Sequence, residues 1–210
     1  MDFGELRPPA PAAIAPTITI ATLADDYHVR RMFGALHAHN AALDPRFTLA
    51  EGWEHVLDQH LAHVRAAGHG LTLLAWIGAL PVGLAMFDGH LDSPLFRHRR
   101  WCELLALYVE PAARGGGAAD RLLDAGVRWA RQRGYDRIQL YVTATNLPAK
   151  RFYARHGFRP TQEIWRREIH AAGESSHFPA DEAVYAQGHE LLTTSPHHYI
   201  IDPDPHEADR

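Results

Sequence analysis

The turn Arg114-Gly115-Gly116-Gly117 is the stretch of the chain whose residue types speak most directly of chemistry. It stands between an apolar run ending at Val109 and a strongly periodic helix. Successive glycine amides ahead of a helix N-terminus form an anion site. Two phosphate-binding patterns are excluded by the residues after the turn. A P-loop requires Gly-Lys-Ser/Thr, and Gly117 is followed by Ala118-Ala119. A dinucleotide fingerprint requires a third glycine where Asp120 stands, and an acidic residue where Val142-Thr143 stands. Further along, Asn146, Ala149 and Tyr153 are spaced i, i+3 and i+7 and so share one face of a predicted helix. A polar amide, a small residue that permits close approach and a phenol with a transferable proton would line that face.

These groups need a frame, and the pattern of apolar residues supplies one. Thr17 to Ala21 is a short β-branched strand. Asp25 or Asp26 caps a predicted helix to about His39, with Val29, Met32, Phe33 and Leu36 on one face. Asp44-Pro45 breaks the chain, and Thr48 caps a second helix to about Ala66 with Trp53, Val56, Leu57, Leu61 and Val64 as its stripe. Leu71 to Phe87 is nearly long enough to span a bilayer. Gly78 and Pro81 interrupt it, so it is a buried β-hairpin. Asp88 to Arg100 forms a polar loop. Trp101 to Val109 is a central strand, apolar on both faces from Leu104. A helix comes next, with Ala119, Leu122, Leu123, Gly126, Val127 and Ala130 in register, and Gly134 stops it. Ile138 to Val142 is a strand, Leu147 or Pro148 begins a helix that ends at His156-Gly157, and Ile164 to Ile169 forms a last strand. The fold class is α/β (α+β), a mixed central sheet flanked by helices with a C-terminal extension.

Arg114-x-x-Gly117-x-Ala119, directly after Leu107-Tyr108-Val109-Glu110-Pro111, resembles the coenzyme A pyrophosphate loop of the GNAT superfamily of acetyl-CoA-dependent N-acyltransferases. The family's second motif stands at a suitable distance as Asn146-Leu147-Pro148-Ala149-Lys150-Arg151-Phe152-Tyr153, then Gly157-Phe158. The resemblance covers residues 17–169 and implies an enzyme that moves an acetyl group from acetyl-CoA to a primary amine by direct attack in a ternary complex. It assigns the pyrophosphate to Arg114 and the amides of Gly115, Gly116, Gly117, Ala118 and Ala119. It assigns the pantetheine arm to backbone groups of Leu107 and Val109, with the Leu107 amide polarising the thioester carbonyl. Asn146 and Ala149 meet the coenzyme arm, and Tyr153 protonates the departing sulfur. Gly116 and Ala118 stand where the family carries larger residues, and the added glycine raises the cost of ordering the loop. Glu103 is the candidate base, six residues before Val109. By period-two alternation it shares a strand face with Leu105, Leu107 and Val109, beside Trp101, Cys102 and Leu104 in a partly dry site. Alternatives are transfer of another acyl group, acetylation of a protein N-terminus or lysine, and a non-catalytic coenzyme-binding regulatory domain.

Composition bounds the remainder. The chain has 210 residues and a net charge of −4, against a dedicated nucleic-acid binder. Residues 170–210 carry −7, so residues 1–169 carry +3, which suits a polyanionic coenzyme. Three segments are expected: a proline-rich flexible leader over 1–16, a catalytic domain over 17–169 and an acidic, histidine-bearing extension over 170–210. Cys102 is the lone cysteine, which excludes an internal disulfide and a cysteine zinc site; a buried core thiol is its expected state. The 16 histidines are scattered without a metal signature, so no metal is expected. No basic n-region or apolar h-region comes after Met1, so a cytoplasmic protein without a membrane partner is expected. The acceptor is expected to be a small-molecule amine; the residues do not give the oligomeric state, and the resemblance alone offers a homodimer by analogy.

Overall fold

Strand-length apolar runs separated by glycine turns produce a sheet. A computed structural model describes residues 15–167. Its elements are β1 (Thr17–Ile20), α1 (Asp26–Leu43), α2 (Trp53–Ala67), β2 (Gly70–Ile77), β3 (Leu80–Leu91), β4 (Arg100–Val109), α3 (Ala118–Gln132), β5 (Ile138–Gln139) and α4 (Leu147–Arg155). The five strands lie in the order β1-β2-β3-β4-β5, antiparallel through β4, with β5 parallel to β4. This is the mixed sheet that the order of elements predicted. Chain contacts define two units, residues 1–156 and 157–210. Every element named above lies in the first. Most of the leader and the whole 170–210 extension lie outside the described residues.

The apolar run at 71–87 is the β2–β3 hairpin, turned at Gly78 with φ 60°. A positive φ at the first position of a two-residue turn suits glycine and the twist of the flanking strands. Among the described residues no helix is long and apolar enough to cross a membrane.

Several boundaries differ from the sequence reading. β3 runs past Phe87 to Leu91, so Asp88, Gly89 and His90 are strand residues paired with Glu103, Cys102 and Trp101. Helix α1 continues past His39 to Leu43. Thr48 does not cap α2; its Oγ1 donates to Pro45 O at 2.7 Å, and Gly52 at φ 76° stands at the helix start. Val56 is 64% exposed, while Leu57, Leu61 and Val64 are the buried stripe. β5 has only two residues, and Ile164–Arg167 form no strand.

The sheet carries a core on each face. Val29 and Met32 of α1 and Leu57 and Leu61 of α2 pack with Leu74, Leu84, Met86, Ala106 and Tyr108. On the other face, α3 buries Leu122, Leu123, Gly126 and Ala130. Its approach is set by one pair. A Cβ added at Gly126 would lie 1.9 Å from the Phe87 ring, so only glycine lets the helix come this close. On an exposed helix face, Gly→Ala would stabilise by roughly 0.5–1 kcal/mol. Gly126→Ala is instead expected to destabilise by about 1–3 kcal/mol through overpacking, seen as a lower melting temperature. Adding Phe87→Leu should recover part of that loss. An unchanged or raised melting temperature for Gly126→Ala would contradict the packing described.

Candidate active site

The site begins with an irregularity in β4. Met86 pairs with Ala106, but Phe87 pairs with Leu104, so Leu105 is an extra residue on β4. Such a bulge shifts the facing of every residue beyond it. Glu103, opposite Asp88, lies on the α1/α2 face with Ala106 and Tyr108. Leu107, opposite Ala85, lies on the α3 face with Val109. The expectation that Glu103 shares a face with Leu105, Leu107 and Val109 is therefore wrong. Strict alternation fails at the inserted residue.

The same register fixes the direction of the backbone. Glu110 N donates to Val82 O at 2.9 Å. In an antiparallel ladder the bonded pairs alternate, which makes Leu84–Tyr108 and Met86–Ala106 the bonded pairs above the bulge. The N–H and C=O groups of Leu107 and Val109 consequently point away from β3. β5 covers that edge only at Cys102 and Glu103. Among the described residues no strand pairs with the edge of β4 from Leu107 to Val109, which has the geometry to take an extended ligand. Arg114 takes one of its acceptors, since its Nε donates to Val109 O at 3.1 Å.

The glycine turn comes at once after the strand. Gly115 and Gly117 both hold φ 80°, and Gly117 caps α3. Gly116 N donates to Ala113 O at 3.3 Å, which removes one amide from the expected set. The first-turn amides of Ala118, Ala119 and Asp120 have no carbonyl one turn earlier and face out of the helix end. A strand edge with unpaired amides thus leads into a helix N-terminus with unpaired amides. That combination fits a long ligand with amide groups at one end and phosphate at the other.

Helix α4 carries the second motif. Asn146 is its N-cap, and its Oδ1 accepts from Ala149 N at 3.2 Å. The side-chain oxygen of Asn146 is thus spent on its own helix, and the amide nitrogen is what it offers a ligand. Tyr153 is half-buried, its ring edge-on to Phe152, and burial pushes its phenol up to about 12. His156, not singled out in the sequence, ties α4 to α3: its Nδ1 lies 2.9 Å from Phe152 O and its Nε2 lies 3.0 Å from Asp120 Oδ1.

Around Glu103 the structure gathers residues that the sequence left apart. His90 Nε2 lies 3.1 Å from Glu103 Oε2, within ion-pair distance. Burial pulls the His90 imidazole down, but Glu103, Asp88 and Asp92 outweigh it, and the net shift is upward. Tyr141 is raised by burial first and then by the Glu103 charge. Glu103 therefore has a titratable partner rather than a dry pocket to itself. Reading β3 on through Asp88 and His90 at period two would have found this partner. Cys102 is fully buried on the opposite face, and burial pushes its thiol up to about 12.

Between α1 and α2, Phe33 packs against His37 and stacks on Trp53, ring centroids 4.4 and 5.8 Å away. A hollow of about 360 Å³ touches Arg97, Arg99 and Arg100. Two of those arginines already donate to carbonyls, Arg99 to Asp92 O and Arg100 to Arg133 O. Among the described residues no three of His, Cys, Asp or Glu are grouped to hold a metal ion.

Comparison with known proteins identifies the family and the fold. Residues 36–158 match the sequence model of the acetyltransferase (GNAT) family. A mycothiol acetyltransferase of Acidothermus cellulolyticus is 38% identical over 91 residues, 42% of this chain and 26% of that one. The chain spans under half the length of the curated relatives compared. A tetramutant of the BH1408 protein from Bacillus halodurans superposes with TM-score 0.64 at 19% identity, over 73% of this chain and 99% of that one. A predicted acetyltransferase from Clostridium acetobutylicum, solved with acetyl-CoA, superposes with TM-score 0.58 at 19% identity, over 73% of this chain and 96% of that one.

The left-handed backbone of the turn can be tested alone. A Cβ at Gly117 would meet no atom within 4 Å, so Gly117→Ala costs only conformation. It is expected to lower stability by roughly 1–2 kcal/mol in denaturant unfolding. No loss would show that the turn does not hold φ 80° in solution.

Proposed function

The chain belongs to the acetyltransferase (GNAT) family, and on that premise we propose that it transfers the acetyl group of acetyl-CoA to a primary amine of a small molecule. The observation that carries the proposal is the open β4 edge at Leu107 and Val109 running into the unpaired amides of α3. A structural relative solved with acetyl-CoA supports the choice of coenzyme. Acetyl-CoA supplies an activated acyl thioester; the chain supplies orientation and proton handling.

Each residue then has a defined task. Backbone groups of Leu107 and Val109 bond the pantetheine arm as an added strand would. The Leu107 N–H meets the thioester oxygen, where negative charge develops during attack. Amides of Gly115, Gly117, Ala118 and Ala119, with Arg114, hold the pyrophosphate. The Asn146 amide nitrogen and the surface beside Ala149 guide the arm past α4. Glu103 takes a proton from the acceptor ammonium, because only the neutral amine is a nucleophile. Direct attack in a ternary complex needs no enzyme nucleophile. Cys102, a buried thiol pushed up to about 12, does not offer one.

Tyr153 hands a proton to the departing sulfur. A phenol pushed up to about 12 is a reluctant donor to an alkyl thiolate, which is a weaker base (a cysteine thiol titrates at about 8.5). The transfer is therefore coupled to proton loss from the new amide nitrogen, so that no free phenolate forms. Tyr153→Phe is expected to lower kcat roughly a hundredfold and to leave the melting-temperature rise caused by acetyl-CoA unchanged. The assay is thiol release over a panel of small amines, aminoglycosides and peptides, which also sorts acceptor classes. A rate for Tyr153→Phe close to wild type would remove Tyr153 from the mechanism.

A further inference from the structure

Glu103 does not act alone on the α1/α2 face. The His90 ring lies against Trp101 with centroids 4.3 Å apart and planes 19° apart. Trp101 is fixed in turn. Its Nε1 donates to Asp92 Oδ1 at 2.8 Å, and Arg137 binds Asp92 Oδ2 at 2.9 Å while lying 5.7 Å from the centre of the indole. This framework sets His90 Nε2 at 3.1 Å from Glu103 Oε2. That nitrogen is closed to water. A buried polar atom is costly unless partnered, and Glu103 is the carboxylate within reach of it. The rest of the His90 side chain is 36% exposed and reaches solvent.

We propose that His90 is a positioning residue for Glu103, holding the carboxylate and receiving at Nε2 the proton that Glu103 removes from the acceptor ammonium. The proposal rests on the transferase reading and on Glu103 as base. In the step, an N–H bond of the ammonium breaks and its electron pair stays on nitrogen. The proton passes to Glu103 and on to neutral His90, which becomes an imidazolium and releases a proton from its exposed edge to water. The groups facing His90 are Asp88 and Asp92 from β3 and its loop, Glu103 and Trp101 from β4, and His60 from α2, with His63 and His69 beside His60. The relay works only while His90 can accept a proton. Glu103, Asp88 and Asp92 hold the imidazole above its ordinary range against the effect of burial. Activity should therefore fall as pH drops through that raised value, and the fall should begin at a higher pH than for a free imidazole.

Two measurements on the full chain test this. The first is an NMR titration of the His90 ring in wild type and in Glu103→Gln. Removing the charge is expected to lower the His90 midpoint by about one unit, and an unmoved midpoint overturns the proposal. The second uses an amine turned over by the wild type. His90→Gln is expected to lower kcat roughly tenfold, shift the acid limb of the kcat profile downward and leave KM for acetyl-CoA unchanged. The double variant His90→Gln/Glu103→Gln should be no slower than Glu103→Gln alone. Additive losses with an unmoved limb would overturn the relay and leave Glu103 as base. Absence of thiol release from the wild type across the panel would overturn the transferase reading, and the relay with it.

Discussion

One inserted residue in β4 organises the site. Were Leu105 paired in regular alternation rather than bulged, the strand from Trp101 to Val109 would keep one alternation, and Glu103 and Leu107 would share a face. The extra residue separates them. Below it, Glu103 turns toward α2 and the histidines; above it, the backbone groups of Leu107 and Val109 reach the edge that β5 leaves uncovered. In the proposed function, proton chemistry and coenzyme recognition thereby come from one strand without competing for one face. The isolated bulge costs a ladder bond, and the neighbouring β3 pairs at Met86 and Phe87 hold it in place.

The second constraint is how closely α3 approaches the sheet. Gly126 lets the helix settle onto Phe87, and Gly83 takes a Leu122 methyl at close range. This carries the N-terminus of α3 to the end of β4, where Gly117 at φ 80° turns the chain into the helix. The Arg114 bond to Val109 O joins turn and strand, and the His156–Asp120 pair joins α4 to the same helix start. Three elements are thus tied at one point by short contacts, each local to the first-turn amides of α3. The placing of that helix start depends on glycine in two ways: at Gly115 and Gly117 for conformation, and at Gly126 for proximity.

Much of this was legible in the residues alone. The α3 pattern, with Leu122, Leu123, Gly126 and Ala130, predicted a helix that is present and buried where expected. The hairpin break at Gly78 and the helix stop at Gly134 came from the left-handed conformations glycine permits. What was not legible was register. A bulge has no residue signature, so the facing of Glu103 was read from an alternation that Leu105 interrupts. Polar residues at Asp88 and His90 concealed the end of β3, because a strand whose outer part faces titratable groups looks like a loop. Asn146 was placed on a helix face although its type and its position before Leu147-Pro148 are those of an N-cap. Of the last strand expected over Ile164 to Ile169, residues 164–167 form no strand, and the remainder lies outside the described residues.

The most direct measurement is amide hydrogen exchange at Leu107 and Val109, with and without coenzyme A. Their N–H groups point to the uncovered edge of β4, while those of Ala106 and Tyr108 are bonded into the β3 ladder. In the free protein, Leu107 and Val109 are expected to exchange far faster than Ala106 and Tyr108. Coenzyme A is expected to slow that exchange, and to do so together with the first-turn amides of α3. Leu107 and Val109 amides already protected in the free protein, or unaffected by saturating coenzyme A, would contradict the account.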